Sequence, residues 1–261
     1  MKCRDILYAL FELMPEDAAE EWDNVGLLTG RPEKEVKKIY IALDATDDVI
    51  DDAVKSGADM LLTHHPMIFK PMKKITGDDF TGRRVMELIK HDISYAAFHT
   101  NYDVCFMAVI AAEKLGIKDW EGLSSVRTDE KGRLIGYGCV GTLPSSCTLS
   151  ECAELVKERF DIPDVRIFGD PESSVETAAI LPGSGGFGIA SAIEKNADVY
   201  ITGDISHHQG LDAVLQGLSV IDAGHYGIEK IFTGHMEKWF NKNFPDIRTV
   251  TAEAKEPFIT K

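Results

Sequence analysis

The chain has 261 residues, which is long for one hydrophobic core and fits two domains of about 130 residues each. Hydrophobic residues make up 44% of the sequence, enough to build ordinary cores, so a wholly disordered chain is excluded. The 28 Lys and Arg residues against 43 Asp and Glu residues give a formal net charge of −15. Because no basic run offsets this charge, nucleic acid is not an expected partner.

The first residues predict a short amphipathic helix, since apolar residues from Ile6 to Met14 recur on one helix face and Pro15 ends the pattern. The segment lacks the apolar core and cleavage site of a signal peptide, and no apolar run approaches the roughly 20 residues that span a bilayer. Five cysteines without a Cys-x-x-Cys pair are typical of reduced core thiols. We therefore expect a cytoplasmic protein with no membrane partner.

The chain contains an internal repeat. When the sequence is shifted by 139 positions (175 − 36 = 139), Val36–Thr63 lies on Val175–Thr202 without a gap. Each copy consists of an apolar run, a turn signal, a helical pattern and a second apolar run, which predicts a βαβ unit with parallel strands. A third apolar run follows in each copy, at Ile93–Phe98 and Leu218–Ala223. The pattern predicts two similar three-layer α/β/α domains. Their likeness indicates a duplication, and the alternative is a chance match, since βαβ units resemble one another in composition.

We expect the first α/β domain to span residues 1–125, with the C-terminal segment 225–261 as a part that could complete it, and the second to span residues 126–224. The second domain gains further predicted elements between Gly132 and Asp170. These are a strand at Leu134–Leu143, a helix at Leu149–Phe160 and a strand at Val165–Phe168.

Polar residues follow the predicted parallel strands, where ligands bind in open α/β sheets. In chain order they are Asp44, His64-His65-Pro66, His99-Thr100-Asn101-Tyr102-Asp103, Gly183-Ser184-Gly185-Gly186, Gly203-Asp204 with His207-His208, and His225 with Glu229. Histidine with carboxylate is the ligand set of Zn, Mn, Fe, Co or Ni, and cysteine is absent from these loops. The composition favours an open, reactive metal site over a structural zinc site.

The spacing of these candidates is compatible with metal binding and also with a purely structural role. His225 and Glu229 are four residues apart where a helix should begin, so they can meet at one ion or form only a helix-start pair. His64 and His65 lie in a loop that ends in proline, where each could bind a different ion. Asp103 and Glu229 supply two negative charges, which suit a pair of divalent ions.

Two further groups keep open interpretations. The loop Gly183–Gly186 could hold an anion with its backbone N–H groups, or it could be only a turn. His207 and His208 lie a few residues past their strand and could support the ligands, bind substrate, or be surface residues.

Together these motifs resemble the Nif-three-like family, whose members are often called GTP cyclohydrolase 1 type 2 homologues. The resemblance covers nearly the whole chain and fits the short form of the family, because no long insertion separates the halves. The chain departs from the family pattern at Tyr102, where the resemblance leads us to expect leucine more often. The matching motifs are Glu21-Trp22-Asp23-Asn24-Val25-Gly26-Leu27, Thr63-His64-His65-Pro66, His99-Thr100-Asn101-Tyr102-Asp103, Gly183-Ser184-Gly185, Thr202-Gly203-Asp204 with His207-His208, and Gly224-His225-Tyr226 with Glu229.

The resemblance implies a dinuclear metal centre in the cleft between two similar α/β domains. Its ligands would be His64, His65, Asp103, His225 and Glu229, with Glu229 bridging two divalent ions. The identity of these ions among Zn, Fe, Mn, Co and Ni stays open. The resemblance also implies a ring-shaped homohexamer.

The implied activity is that of a cyclohydrolase-like hydrolase, in which metal-activated water attacks a small molecule such as a nucleotide. We expect His99 to be catalytic: it would lie about 3–5 Å from a metal or its water, without coordinating, and would take a proton from the water. The alternative is a metal-binding interaction or chaperone-like protein without turnover. A nuclease or phosphatase is less favoured, because the charge of −15 opposes nucleic-acid binding.

Overall fold

The structure is a computed structural model that describes residues 1–128, 130, 132, 134–253, 255, 256 and 258. The chain forms two compact units. Unit 1 comprises Met1–Tyr102 and Phe232–Ala254, and unit 2 comprises Asp103–Ile231 and Lys255–Lys261. The domain limits expected at 125–126 and 224–225 stay a prediction. Positions 254, 257 and 259–261 of the predicted C-terminal segment lie outside the described residues.

Strands and helices alternate along most of the chain. In chain order the strands are β1 (Gly26–Thr29), β2 (Lys38–Ala42), β3 (Met60–Thr63), β4 (Ser94–Ala97), β5 (Lys118–Thr128), β6 (Leu134–Thr148), β7 (Arg166–Phe168), β8 (Ser174–Ser184), β9 (Val199–Gly203), β10 (Ser219–Asp222) and β11 (Arg248–Thr251). The helices are α1 (Cys3–Leu13), α2 (Asp47–Ser56), α3 (Phe80–Lys90), α4 (Thr100–Tyr102), α5 (Ala108–Leu115), α6 (Leu149–Phe160), α7 (Ile189–Glu194), α8 (His207–Leu215), α9 (His225–Glu229) and α10 (Ile231–Asn243). Within the described ranges, no helix combines the length and the apolarity that a membrane crossing requires.

Unit 1 contains a sheet with the strand order β1-β4-β3-β2-β11. The strands β4, β3, β2 and β11 are paired in parallel, and β1 is antiparallel to β4 at one edge. On one face, Tyr40, Leu61 and Tyr95 pack with residues of α2 and α3. Ile41 and Leu62 point to the other face and are also fully buried. Burial on both faces explains why these strands are nearly continuous apolar runs in the sequence.

Unit 2 contains a sheet with the strand order β5-β6-β8-β9-β10-β7. Its central strands β8, β9 and β10 are parallel, whereas β5, β6 and β7 pair antiparallel with their neighbours. Ile180 and Ile201 pack with residues of α5 and α6. Ala179 and Tyr200, on the opposite face, pack with residues of α7 and α8. Helices therefore cover both faces of this sheet, which gives unit 2 the predicted three layers.

Two features of the second sheet differ from the sequence-based expectation. The strand β5 was not predicted, because it is an edge strand whose burial is concentrated at Leu123 and whose other residues are mostly exposed. Such a strand lacks the apolar run that marked the central strands. The predicted strand at Leu134–Leu143 continues to Thr148, past an irregularity in its pairing with β8 between Thr142 and Cys147.

The internal repeat is present in the strand register. In unit 1, Ile39 of β2 pairs with Met60 of β3. The positions 139 residues later, Ala178 of β8 and Val199 of β9, pair with each other in unit 2. The predicted parallel βαβ units are thereby confirmed, with the same register in both copies.

The repeat extends to a side chain at the start of the second strand of each βαβ unit. Oδ2 of Asp59 accepts hydrogen bonds from the backbone N–H groups of residues 37–38 at 2.8 and 3.0 Å. Oδ2 of Asp198 accepts from the N–H groups of residues 176–177 at 2.9 and 2.8 Å. Because both aspartates fix the relative position of two parallel strands, they account for part of the common register.

Candidate metal centre

Three histidines of unit 1 lie together beyond the ends of two neighbouring strands. His64 and His65 directly follow β3, and His99 lies two residues past the end of β4. Since β3 and β4 are parallel, their carboxyl ends meet at one edge of the sheet. The candidate ligand atoms of the three side chains lie within 4.8 Å of one another. The fold therefore places three imidazoles close enough to act at one site, each as a metal ligand or as a proton acceptor beside it.

The orientation of His64 identifies the nitrogen that can bind a metal. Its side chain is buried, and Nδ1 lies 2.9 Å from the carbonyl oxygen of Phe98. A carbonyl oxygen only accepts hydrogen bonds, so Nδ1 donates and carries the proton of the neutral ring. The lone pair then belongs to Nε2, which is the nitrogen suited to coordination.

Carboxylates orient the other two histidines of this group. His65 Nδ1 lies 2.8 Å from Asp44 Oδ1, and His99 Nδ1 lies 3.0 Å from Asp23 Oδ1. An ionised carboxylate accepts a hydrogen bond from Nδ1–H and increases the basicity of the opposite nitrogen. Asp44 and Asp23 therefore prepare the two rings as metal ligands or proton acceptors.

Asp23 is itself fixed in its charged form. Its side chain is fully enclosed, and Oδ2 accepts hydrogen bonds from the Thr100 backbone N–H at 2.9 Å and hydroxyl at 2.5 Å. Burial opposes ionisation, but the hydrogen bond and charge of His99, together with the Thr100 bonds, outweigh it and lower the pKa of Asp23 to about 2. Asp23 is therefore ionised at neutral pH and can hold His99 in one orientation.

Unit 2 carries a second histidine–carboxylate group on the short helix α9. His225 begins this helix and Glu229 ends it, so the four-residue spacing places both on one face. His225 Nε2 lies 2.9 Å from Glu229 Oε2, and Glu229 is buried. His225 Nδ1 lies 2.8 Å from Asp204 Oδ2. Asp204 therefore orients His225 as Asp44 orients His65.

The glycine-rich loop after β8 makes room for this group. Gly183 has a φ of +82°, and a Cβ there would collide with Glu229 Oε1 and lie 3.9 Å from His225 Nε2. At Gly185, a Cβ would collide with the hydroxyl of Thr202. Close packing thus accounts for the loop without an anion, and Gly183 allows the Glu229 carboxylate to approach the backbone.

The remaining candidates lie in different settings. Asp103 is half-buried and opens the π-helical turn Asp103–Met107 in unit 2. Such turns are rare and occur frequently at functional sites. His207 and His208 are exposed at the start of α8, and they belong to none of the candidate metal-binding groups that the described residues form.

The donor set fits a divalent transition metal. In the two histidine groups described above, an oxygen acceptor engages Nδ1 of His64, His65, His99 and His225. Imidazole oriented in this way, with carboxylate nearby, is a frequent arrangement around zinc and related ions. The orienting aspartates were named in the sequence motifs, but their pairing with the histidines was not predicted. The available signal was the position of Asp44 and Asp204, each just past a strand end.

Two α/β units with a repeated βαβ core, and with histidine groups that could hold metal, define a two-unit α/β protein with candidate metal sites. The family model described as Duf34/NIF3 (NGG1p interacting factor 3) matches residues 1–257. The chain belongs to the DUF34/NIF3 family, so the family and fold class predicted from the sequence are confirmed.

Similar proteins cover almost the whole chain. The chain is 34% identical over 262 residues to the GTP cyclohydrolase 1 type 2 homolog of Clostridium perfringens, with 99% of each chain covered. It is 35% identical over 230 residues to the homolog of the same name in Clostridium acetobutylicum, covering 88% of this chain and 85% of the relative.

Solved structures show the same fold. A Bacillus cereus protein related to NIF3 matches with a TM-score of 0.92 and 25% identity, covering 100% of this chain and 99% of the other. Reduced HcgD from Methanocaldococcus jannaschii matches with a TM-score of 0.83 and 30% identity, covering 96% and 97%.

Proposed function

We propose that the protein is a metal-dependent hydrolase that acts on a small molecule such as a nucleotide. The observation that carries the proposal is the set of histidines at strand ends, each with Nδ1 engaged by an oxygen acceptor. The name of the relatives, GTP cyclohydrolase 1 type 2 homolog, supports a nucleotide as the first substrate to test.

In this proposal, His64, His65, Asp103, His225 and Glu229 are the residues that would hold two divalent ions. The choice among Zn, Fe, Mn, Co and Ni follows availability, because mixed nitrogen and oxygen ligands accept each of them. When bound, such ions lower the pKa of water toward neutrality and polarise an oxygen of the substrate.

His99 is the residue that we assign to proton transfer. Its Nδ1 donates to Asp23, so the Nε2 lone pair can accept a proton from the attacking water. The ionised Asp23 carboxylate then stabilises the imidazolium that forms. The enclosed position of Asp23 makes this stabilisation stronger than it would be at the surface, because fewer water molecules screen the charge.

Two variants separate metal binding from chemistry. We expect His65→Ala to lower the metal content of the purified protein, measured by elemental analysis. The same variant should abolish the cyclohydrolase-like hydrolysis of the guanine ring of GTP. We expect His99→Ala to keep its metal while hydrolysis falls by about 10²- to 10⁴-fold. The control is Glu87→Ala, which breaks an exposed carboxylate–histidine pair outside the site, between Glu87 Oε1 and His91 Nε2.

Three outcomes decide between the candidates. Unchanged metal content in both His65→Ala and Glu229→Gln would refute the ligand assignment. Metal-dependent depletion of a compound from a cell extract, lost in His65→Ala, would support hydrolysis even where GTP is not the substrate. Metal binding without turnover of GTP or of any extract component would favour the metal-binding interaction or chaperone-like alternative.

We also propose, from the family resemblance, that the chain assembles into a homohexamer in the cytoplasm. Light scattering coupled to size-exclusion chromatography should give the mass of six chains. The mass of one chain at micromolar concentration would refute this assembly.

A further inference from the structure

An exposed aromatic pair stands beside the histidine group of unit 1. Trp22 is 57% exposed and Phe69 is 46% exposed, and their ring centroids lie 5.7 Å apart. The Trp22 ring also meets the ring of His99 at 6.1 Å in an edge arrangement. Two large aromatic rings that stay exposed to water lack the favourable free energy that burial would provide. Their exposure next to a candidate catalytic histidine therefore points to a ligand.

Hydrogen bonds fix the backbone on both sides of Trp22. The N–H of Glu20 donates to Thr100 Oγ1 at 3.0 Å. The side-chain amide of Asn24 donates to the carbonyl oxygen of Ile68 at 2.5 Å, which ties this segment to the loop that carries the second ring. The exposure of Trp22 is therefore built into the fold, and the aromatic pair is held in place before any ligand arrives.

The loop that carries Phe69, residues 64–79 between β3 and α3, contains three lysines and two aspartates in a strongly acidic chain. Lys70, Lys73 and Lys74 lie near Phe69 in sequence and the two aspartates come last, directly before α3, so the loop has a net charge of +1 (3 − 2 = 1) whereas the whole chain has −15. All three lysines are exposed. A local excess of positive charge attracts anionic groups and increases their rate of association.

We propose that Trp22 and Phe69 stack on a planar heteroaromatic ring, and that the lysines of residues 64–79 bind an anionic group such as a phosphate on the same molecule. This inference rests on the proposed function in one respect: the stacked ring is then presented to His99. It adds to the proposed nucleotide substrate the two aromatic residues that would recognise its ring. Stacking of a base on an aromatic side chain contributes about 1–3 kcal/mol.

Calorimetric titration of the purified full chain with GMP tests the stacking. Trp22→Ala should raise the Kd for GMP by about 5- to 150-fold, which is the stacking free energy converted to an affinity ratio. Trp22→Phe should restore most of the affinity, because it keeps an aromatic face. The matched control is Trp120→Ala, since Trp120 is 39% exposed on β5 of unit 2 and should not affect GMP.

A second set of ligands tests the anionic group. The double variant Lys73→Ala/Lys74→Ala should weaken GMP binding and reduce its salt dependence, while its affinity for guanosine stays that of the wild type. In Trp22→Ala the pattern should reverse, with ribose 5-phosphate unaffected and guanosine weakened. These two patterns distinguish ring recognition from phosphate recognition.

Several results would overturn the inference. One is a wild-type protein that binds none of the four common nucleoside monophosphates at millimolar concentration. Another is equal GMP affinity in the wild type and in Trp22→Ala. A third is a Trp22→Ala chain that changes its oligomeric mass but not its affinity, which would make the aromatic pair a contact between copies.

The stacking site and the hydrolase activity can each fail while the other stands. Trp22→Ala should keep the metal content of the wild type, because Trp22 supplies no ligand atom. If GMP binding depends on Trp22 but no hydrolysis is found, the hydrolase proposal fails and the stacking site stands. If hydrolysis occurs and is indifferent to Trp22→Ala and Phe69→Ala, the stacking site fails and the hydrolase stands.

Discussion

Replacing Gly183 by alanine would test whether this glycine exists to place the Glu229 carboxylate. The backbone at Gly183 has a φ of +82°, where an alanine costs about 1–2 kcal/mol. The new Cβ would also collide with Glu229 Oε1 and push the carboxylate from its position 2.9 Å from His225 Nε2. Forcing a closely packed side chain out of its place in this way costs about 1–3 kcal/mol. The two costs together lower the expected free energy of unfolding by about 2–5 kcal/mol.

A second glycine provides a matched control. Gly217 has a φ of +87°, and a Cβ there would have no atom within 4 Å. Gly217→Ala should therefore lose only the backbone contribution of about 1–2 kcal/mol. Urea unfolding followed by circular dichroism gives both stability changes, and elemental analysis gives the metal content of the folded variants.

The difference between the two variants isolates the displacement of the carboxylate. We expect Gly183→Ala to lose metal and Gly217→Ala to keep it. Equal stability losses with equal metal contents would show that Gly183 serves only the turn, and the packing explanation of the glycine-rich loop would be wrong.

Two further predictions concern the carboxylates that orient the histidines. Asp44→Ala and Asp204→Ala should each weaken metal affinity by about 10- to 100-fold in a chelator competition, whereas Glu87→Ala at the surface should not. The second concerns Asp23, whose folded pKa of about 2 is below the usual 3.8, so its carboxylate stabilises the fold fully above pH 3.8 and this contribution disappears as the pH falls through 2. In Asp23→Asn, the melting temperature should vary less between pH 4 and pH 2 than in the wild type; an unaltered pH profile would contradict the assignment.

The parts of the fold that the sequence predicted are those that are buried on both sides. The runs at Ile39–Leu43 and Val199–Ile201 are nearly all apolar, because parallel central strands have no solvent face. The edge strand β5 has one buried residue, Leu123, and its sequence therefore shows no continuous apolar run. Periodicity therefore located the repeated core and missed an element whose existence depends on its partner β6.

The candidate site likewise contains residues that local sequence could identify and contacts that it could not. The histidines could be found because each follows a strand, and strand ends are readable from local sequence. The partner of His99 is Asp23, 76 residues earlier in the chain, and nothing local to either residue indicates that contact. The aromatic pair of Trp22 and Phe69 likewise joins two separate loops. Contacts of this kind follow from the folded sheet and not from spacing.

The aspartates that recur in the two βαβ units give a further prediction. Asp59 and Asp198 each accept two backbone N–H hydrogen bonds at nearly equal lengths, so removing either carboxylate should have a similar local effect. Each hydrogen bond to a charged group contributes about 1.5–3 kcal/mol, although partial exposure reduces this figure. We expect Asp59→Ala to lower the protection of amides 37–38 against hydrogen exchange, and Asp198→Ala to lower that of amides 176–177.

Asp59 has one additional partner, Lys34, whose ammonium lies 3.7 Å from its Oδ1. Lys34→Ala therefore serves as the control for the contribution of this ion pair, which should be small because Asp59 is partly exposed. Mass spectrometry of exchanged peptides can resolve the two regions within one protein. A loss of protection in only one of the two units would mean that the shared register is maintained by apolar packing in the other, and that the carboxylate there is dispensable.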